Sequence, residues 1–201
     1  MRALRRAVAL SALLASIACA HQLRPVPSAP FRRVVTGFDA SGKSVITWDG
    51  PVPAREQTRW SEKALAKMPL LRSISRNGLW VFSSIPADLS EPRDPLGAEL
   101  RSHGRAGLQP PQGGVTADVF RFEPRGGYPM HTTATVDLIV VVSGAMELVM
   151  EGGSTIVRAG DVVVQRGTPH AWKVVGDEPC VFVSVLADAV NSPVSPDRLT
   201  R

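Results

Sequence analysis

From Val115 onward the apolar positions fall into short β-branched runs, each closed by a glycine-bearing turn signal. The runs are Val115–Phe122, Val136–Val142, Ala145–Met150, Ser154–Arg158, Asp161–Gln165, Ala171–Val175 and Pro179–Leu186. Gly126-Gly127, Ser143-Gly144, Gly152-Gly153, Ala159-Gly160, Arg166-Gly167 and Gly176-Asp177 punctuate them. Seven short strands at spacings near ten residues predict an all-β domain, an antiparallel sandwich or barrel. No long helical pattern separates the runs, which excludes a parallel α/β sheet.

Upstream the pattern is less regular. Val34-Val35 and Val45-Ile46-Thr47, with Asp39-Ala40-Ser41-Gly42 between them, predict a hairpin over Arg33–Trp48. Gly50–Asn77 reads as a variable excursion in which Ser61 N-caps two helical turns ending at Met68. Leu79–Ser83 is a short apolar strand. Pro86–Gly114, rich in proline and glycine, reads as a long loop, either a lid or a partly disordered segment.

A chain of 201 residues suits one core with extensions. Residues 1–20 read as an export signal, with arginines at positions 2, 5 and 6 followed by the apolar run Ala7–Ala18. That run is shorter than the roughly twenty residues needed to cross a bilayer. Two processing routes stay open. Ala18-Cys19-Ala20 fits a small-x-small cleavage site that releases a periplasmic protein, whereas Ala15–Cys19 fits a lipobox that anchors the chain to a membrane through a lipid on Cys19. Residues 21–32 form a proline-rich tether, 33–114 an N-terminal hairpin and loop extension, 115–188 the barrel and 189–201 a tail.

Export changes the charge. Losing Arg2, Arg5 and Arg6 takes Lys+Arg from 23 to 20 against 18 Asp+Glu, so the net charge falls from +5 to +2. With no arginine stripe interleaved with aromatics, nucleic acid is not an expected partner. Cys180, inside an apolar run, reads as a small buried hydrophobe.

The candidate chemistry sits in Gly127–Gly144 and Gly160–Trp172. On a continuous strand His131, Thr133 and Asp137 share one face, and His170 enters from a later strand. Two neutral imidazoles and a carboxylate make a 2-His-1-carboxylate set for a divalent metal: Fe, Mn, Ni or Zn. The same three residues could instead form a metal-free polar pocket or a buried structural network. Asp137 is a third ligand or an orienting base, and Tyr128 is a candidate proton donor beside His131. Thr133, Gln165 and Trp172 are assigned to the substrate pocket, Trp172 as an apolar wall. Arg121 and Arg166 are candidates to hold a carboxylate. Met146 and Met150 are read as core.

The two segments resemble the paired motifs of the cupin superfamily. Gly127, His131, Thr133, Asp137 and Gly144 keep the first motif's spacing, with Thr133 where a histidine and Asp137 where a glutamate is usual. Gly160, Gln165-Arg166-Gly167 and His170 keep the second, with Gln165 where proline is common. The resemblance implies a double-stranded β-helix or jelly-roll barrel. It also implies a homodimer formed by strand exchange or sheet-edge packing, for which the Arg33–Trp48 hairpin is the candidate edge. Because cupins host many chemistries, it leaves the reaction open among oxidation, decarboxylation and dehydration or isomerisation of a small oxygenated or carboxylated molecule. A non-catalytic ligand-binding module is the alternative.

Overall fold

The computed structural model describes residues 31–52, 61–89 and 109–190. The export signal and Cys19, nearly all of the tether, most of the 86–114 loop and most of the tail lie outside the described residues.

Two sheets face each other. Strands β3 (Ile74–Phe82), β4 (Val115–Phe122), β6 (Thr135–Ser143), β9 (Val162–Gln165) and β11 (Cys180–Asp188) form a five-stranded sheet in the order β3-β4-β11-β6-β9. Opposite lie β5 (Gly127–His131), β7 (Ala145–Met150), β8 (Gly153–Arg158) and β10 (His170–Val174), in the order β5-β10-β7-β8. Every pairing is antiparallel. The jelly-roll barrel expected for this chain is therefore present. Alternation sends Phe120, Phe122, Ile139, Val141, Met146, Leu148, Trp172 and Phe182 into the space between the sheets. The helix α1 (Glu62–Lys67), N-capped by Ser61 Oγ accepting from the Ala64 amide, brings Ala64, Leu65 and Met68 against that core.

β3 begins five residues before the apolar run that announces it, and it is one of the two edge strands of the five-stranded sheet. Its polar start is buried because Arg76 forms a bidentate ion pair with Asp118 on β4, at 3.0 Å for each nitrogen–oxygen contact. Cys180 is fully buried, and burial pushes its thiol up to about 12, in keeping with a packing role.

The predicted hairpin is β1 (Arg32–Phe38) and β2 (Ser44–Pro51), a separate two-stranded sheet. Asp39 Oδ1 organises its turn by accepting from the Ser41 amide, the Ser41 hydroxyl and the Lys43 amide. The buried Arg33 side chain lies over Trp48 and donates to the Leu79 carbonyl at 3.1 Å, linking the hairpin to β3. Val136, Leu138, Val140 and Val142 of β6, with Val162 and Val164 of β9, are 40–60% exposed on the outer face of the five-stranded sheet. An aliphatic surface of this kind on both faces of a sheet departs from the polar outside of a solvated barrel.

Candidate functional site

His131 closes β5 and His170 opens β10, and the two are Cα partners across the ladder. Between His170 and Trp172 the register slips, so β5 spends one extra residue between Tyr128 and His131. Pro129, which has no amide hydrogen to lose, occupies this bulge. The slip returns both Tyr128 and His131 to the inner face, with their rings edge to face at 4.5 Å between centroids. Gly127 is required for the same approach, since a Cβ there would meet the Trp172 carbonyl oxygen. Gly144, at φ 72°, makes the β6–β7 turn in the left-handed region, where a side chain would be strained.

The imidazoles of His131 and His170 lie 4.1 Å apart between centroids. Each Nδ1 faces a backbone carbonyl two residues back, Pro129 O at 2.9 Å and Thr168 O at 2.8 Å. A carbonyl only accepts, so the neutral rings carry their hydrogen on Nδ1 and leave Nε2 with a lone pair. Burial, and next the neighbouring His170, pull His131 down to about 4, while burial lowers His170. Both rings are therefore neutral at pH 7, the state in which imidazole ligates metal.

Asp137 reaches the same cavity from the other side. The chain leaves β5 at His131 and enters β6 at Thr135, crossing from the four-stranded to the five-stranded sheet. The assumption of one continuous strand thus fails, and His131 and Asp137 face each other from opposite walls. Asp137 is buried, its Oδ1 has no hydrogen-bond partner, and burial pushes it up to about 6. The Thr135 hydroxyl, 2.8 Å from Thr133 Oγ1, also hydrogen-bonds the Asp137 carboxyl and lowers its pKa against the larger effect of burial. Among the described residues, no group of three or more His, Cys, Asp or Glu side chains is placed to hold a metal ion. The donor chemistry fits a divalent metal through two lone-pair imidazoles, without Asp137 as third ligand in this arrangement.

The other expected site residues separate clearly. Tyr128, Thr133 and Trp172 line the cavity with the histidines and Asp137. Burial raises the Tyr128 pKa, so its phenol keeps its proton. Trp172 is a wall, buried and stacked on Phe182 at 6.4 Å. Gln165 is a correction: its amide nitrogen donates to the Thr168 carbonyl and hydroxyl, so it clamps the turn that delivers His170 and is absent from the cavity lining. Arg121 pairs with Glu123, Arg166 is exposed, and neither lines the cavity. Ser184 and the rings of Phe120 and Phe182 were missed, although strict alternation of Cys180, Phe182, Ser184 and Leu186 along one run would have exposed Phe182 and Ser184.

The cavity measures about 60 Å³, room for roughly four to six waters. Phe120 and Phe182, on neighbouring strands, stack at 5.0 Å with planes 10° apart.

Residues 118–186 match the family model of the Cupin domain. The chain is 31% identical over 144 residues to Phomopsin biosynthesis cluster protein C' of Diaporthe leptostromiformis, a match covering 70% of this chain and 69% of that protein. It is 29% identical over 141 residues to the Cupin-domain-containing oxidoreductase fogC of Aspergillus ruber, covering 70% and 62%. A solved double-stranded beta-helix protein of Klebsiella pneumoniae is 28% identical, with a TM-score of 0.36 over 39% of this chain and 70% of that one. The family-model match and the relative 31% identical over 70% of this chain place the chain in the cupin superfamily.

Proposed function

We propose that the cavity between the sheets is the active site of a metal-dependent oxidoreductase acting on a small oxygenated organic molecule. The observation that carries this reading is the pair of Nδ1-anchored imidazoles, whose Nε2 lone pairs require either a cation or a hydrogen-bond donor as partner. A divalent ion there, Fe, Mn, Ni or Zn, would supply Lewis acidity and, for a redox-active ion, electrons. His131 and His170 hold it, Asp137 takes or returns a proton near neutrality, and the apolar walls exclude water. Oxidation is preferred to decarboxylation because fogC is named an oxidoreductase and, among the described residues, no lysine or arginine lines the cavity to seat a carboxylate.

Metal analysis of the purified chain tests this. About one equivalent is expected in the wild type, retained in Asp137→Ala and lost in His131→Ala and His170→Ala; a wild type without stoichiometric metal overturns it. A second reading, a non-catalytic binding module, is favoured by Thr133 in a histidine's place and by the absence of a three-group cluster among the described residues. Oxygen consumption abolished by either histidine substitution would rule that module out.

We also propose that two copies associate through the outer face of β6 and β9 rather than through the hairpin edge. Leu138 pairs with Val164 and Val185, and Val140 with Val162 and Val183, giving an uncharged surface complementary to itself. Light scattering should report a dimer for the wild type and a monomer for Leu138→Glu and for Val164→Glu. A monomeric wild type retires the idea.

A further inference from the structure

We infer that Thr133, Thr135 and Asp137 form a hydroxyl relay that passes a proton between a guest held beside Thr133 and the Asp137 carboxyl. This deepens the enzyme reading above and rests on that cavity being the place of chemistry. It adds two uncharged residues to the groups that act there.

Strand alternation builds the row. Thr135 and Asp137, two apart on β6, share its inner face. Thr133 stands in the connection that crosses from the histidine wall to the Asp137 wall. All three side chains are buried. The two hydroxyl oxygens lie 2.8 Å apart, and the Thr135 hydroxyl also reaches the Asp137 carboxyl. Thr133 and Asp137 line the cavity, whereas Thr135 does not and joins them from behind the wall. The turn that delivers His170 holds the row in place, since a Cβ on Gly167 would lie 3.0 Å from the Thr133 carbonyl oxygen and 3.3 Å from that of Thr135.

A hydroxyl carries one hydrogen, and that defines two states. With Asp137 ionised, Thr135 gives its hydrogen to the carboxylate, the stronger acceptor. The contact between the threonines is then filled by the hydrogen of Thr133, which turns a lone pair to the cavity. With Asp137 protonated, the carboxyl donates to Thr135 and Thr135 to Thr133, so Thr133 turns its hydrogen to the cavity. Between these states a guest hydroxyl or water gives its proton to Thr133 Oγ1, Thr133 passes its own to Thr135, and Thr135 passes its own to Asp137. Three O–H bonds break and three form, the guest is left as an oxyanion, and no electrons are transferred. A purely structural network satisfies its members. This one leaves the buried Asp137 Oδ1 without a partner, and both its ends open on the same cavity.

The titratable groups across the cavity from Asp137 are Tyr128 and His131 on β5 and His170 on β10. Its strand neighbours are the uncharged Gln165 on β9 and Leu186 on β11. Burial holds both imidazoles neutral and the phenol protonated at about pH 7, so a proton entering the row ends on Asp137.

The test is 13C NMR on the full chain after chelator treatment, with water as the guest. The Asp137 carboxyl carbon and the Cβ signals of Thr133 and Thr135 are followed from about pH 8 to about pH 4. In the wild type both threonine signals are expected to move with the Asp137 midpoint, and in Asp137→Asn that movement should vanish. Thr135→Val keeps the shape and removes the link. There the Asp137 midpoint should rise by about one pH unit and Thr133 should stop following it, while Thr135→Ser restores both. Thr116→Val removes a buried hydroxyl from β4 outside the row and should leave Thr133 coupled to Asp137. A Thr133 signal that ignores Asp137 in the wild type, or still follows it in Thr135→Val, overturns the relay. The wild-type result decides on its own where a variant does not fold. Metal content is read separately on untreated protein, so a coupled row in a protein without stoichiometric metal sinks the enzyme reading and spares the relay. A metal-loaded protein whose Thr133 ignores Asp137 does the reverse.

Discussion

Asp118→Ala is expected to destabilise the barrel by about 3–5 kcal/mol, because it strands a buried guanidinium with no counter-charge. Arg76 and Asp118 are almost fully removed from solvent, with side-chain exposures of 4% and 1%. Their contact is bidentate, and the Arg76 guanidinium also lies 5.9 Å from the Phe120 ring centroid. Arg76→Ala should cost less, because burial already raises Asp118 and, without the guanidinium that opposes this, its carboxyl takes up a proton. The double variant Arg76→Met with Asp118→Leu is predicted to recover most of the loss, since replacing a buried ion pair by apolar groups of similar volume is often neutral or stabilising by about 1–4 kcal/mol. Urea unfolding with unchanged m-values measures all three. A double variant no more stable than the singles would mean that the pair fixes how β3 joins the sheet, beyond cancelling its own charges. Singles that lose less than about 1 kcal/mol would mean that water reaches the pair.

The same pair explains why β3 was only half visible in the sequence. Ser75, Arg76 and Asn77 read as the end of the variable excursion because their polarity carries no strand period, yet Arg76 and Asn77 are buried. The ion pair is made by a residue 42 positions away, a distance at which local pattern says nothing. Strands with clean alternation, β4 and β7 above all, have the bounds that their apolar runs predict. β5 was missed for the opposite reason: Tyr128-Pro129-Met130 combines a proline with a bulge, and both erase the period of two. His131 and His170 were legible because glycine spacing survives such irregularity. The wall to which Asp137 belongs was not. A period-two argument needs an unbroken strand, and the chain changes sheets between 131 and 135. Gln165 failed as a pocket residue because its partner, the turn before His170, lies only three residues on and claims the amide first.

Asp137→Asn is expected to make the chelator-treated protein more stable at pH 8, an unusual result for a polar residue in an active-site cavity. In the folded chain burial holds Asp137 at about 6, above the ordinary carboxylate value of 3.8. Its contribution is therefore fully present below the unfolded value and is lost as pH rises through the folded one. At pH 8 the folded state carries a dry carboxylate with an unpartnered Oδ1, a penalty of about 1–3 kcal/mol that the amide removes. Near pH 4 the two proteins should converge. The histidines run the other way: His131, lowered from 6.5 to about 4, and His170, also lowered, contribute stability that is lost as pH falls below 6.5. In the wild type these opposite slopes partly cancel between about pH 4 and 6. In Asp137→Asn only the histidine slope remains, so its urea midpoint should fall more steeply on acidification. An Asp137→Asn protein less stable than wild type at pH 8 would mean that a cation or donor does satisfy Oδ1 in solution, and would return Asp137 to the ligand set with His131 and His170. The expected result leaves the wild-type Asp137 ionised at pH 8 with its Oδ1 unpartnered, on the wall opposite two lone-pair imidazoles, the arrangement of a base waiting for a proton that a bound hydroxyl can give.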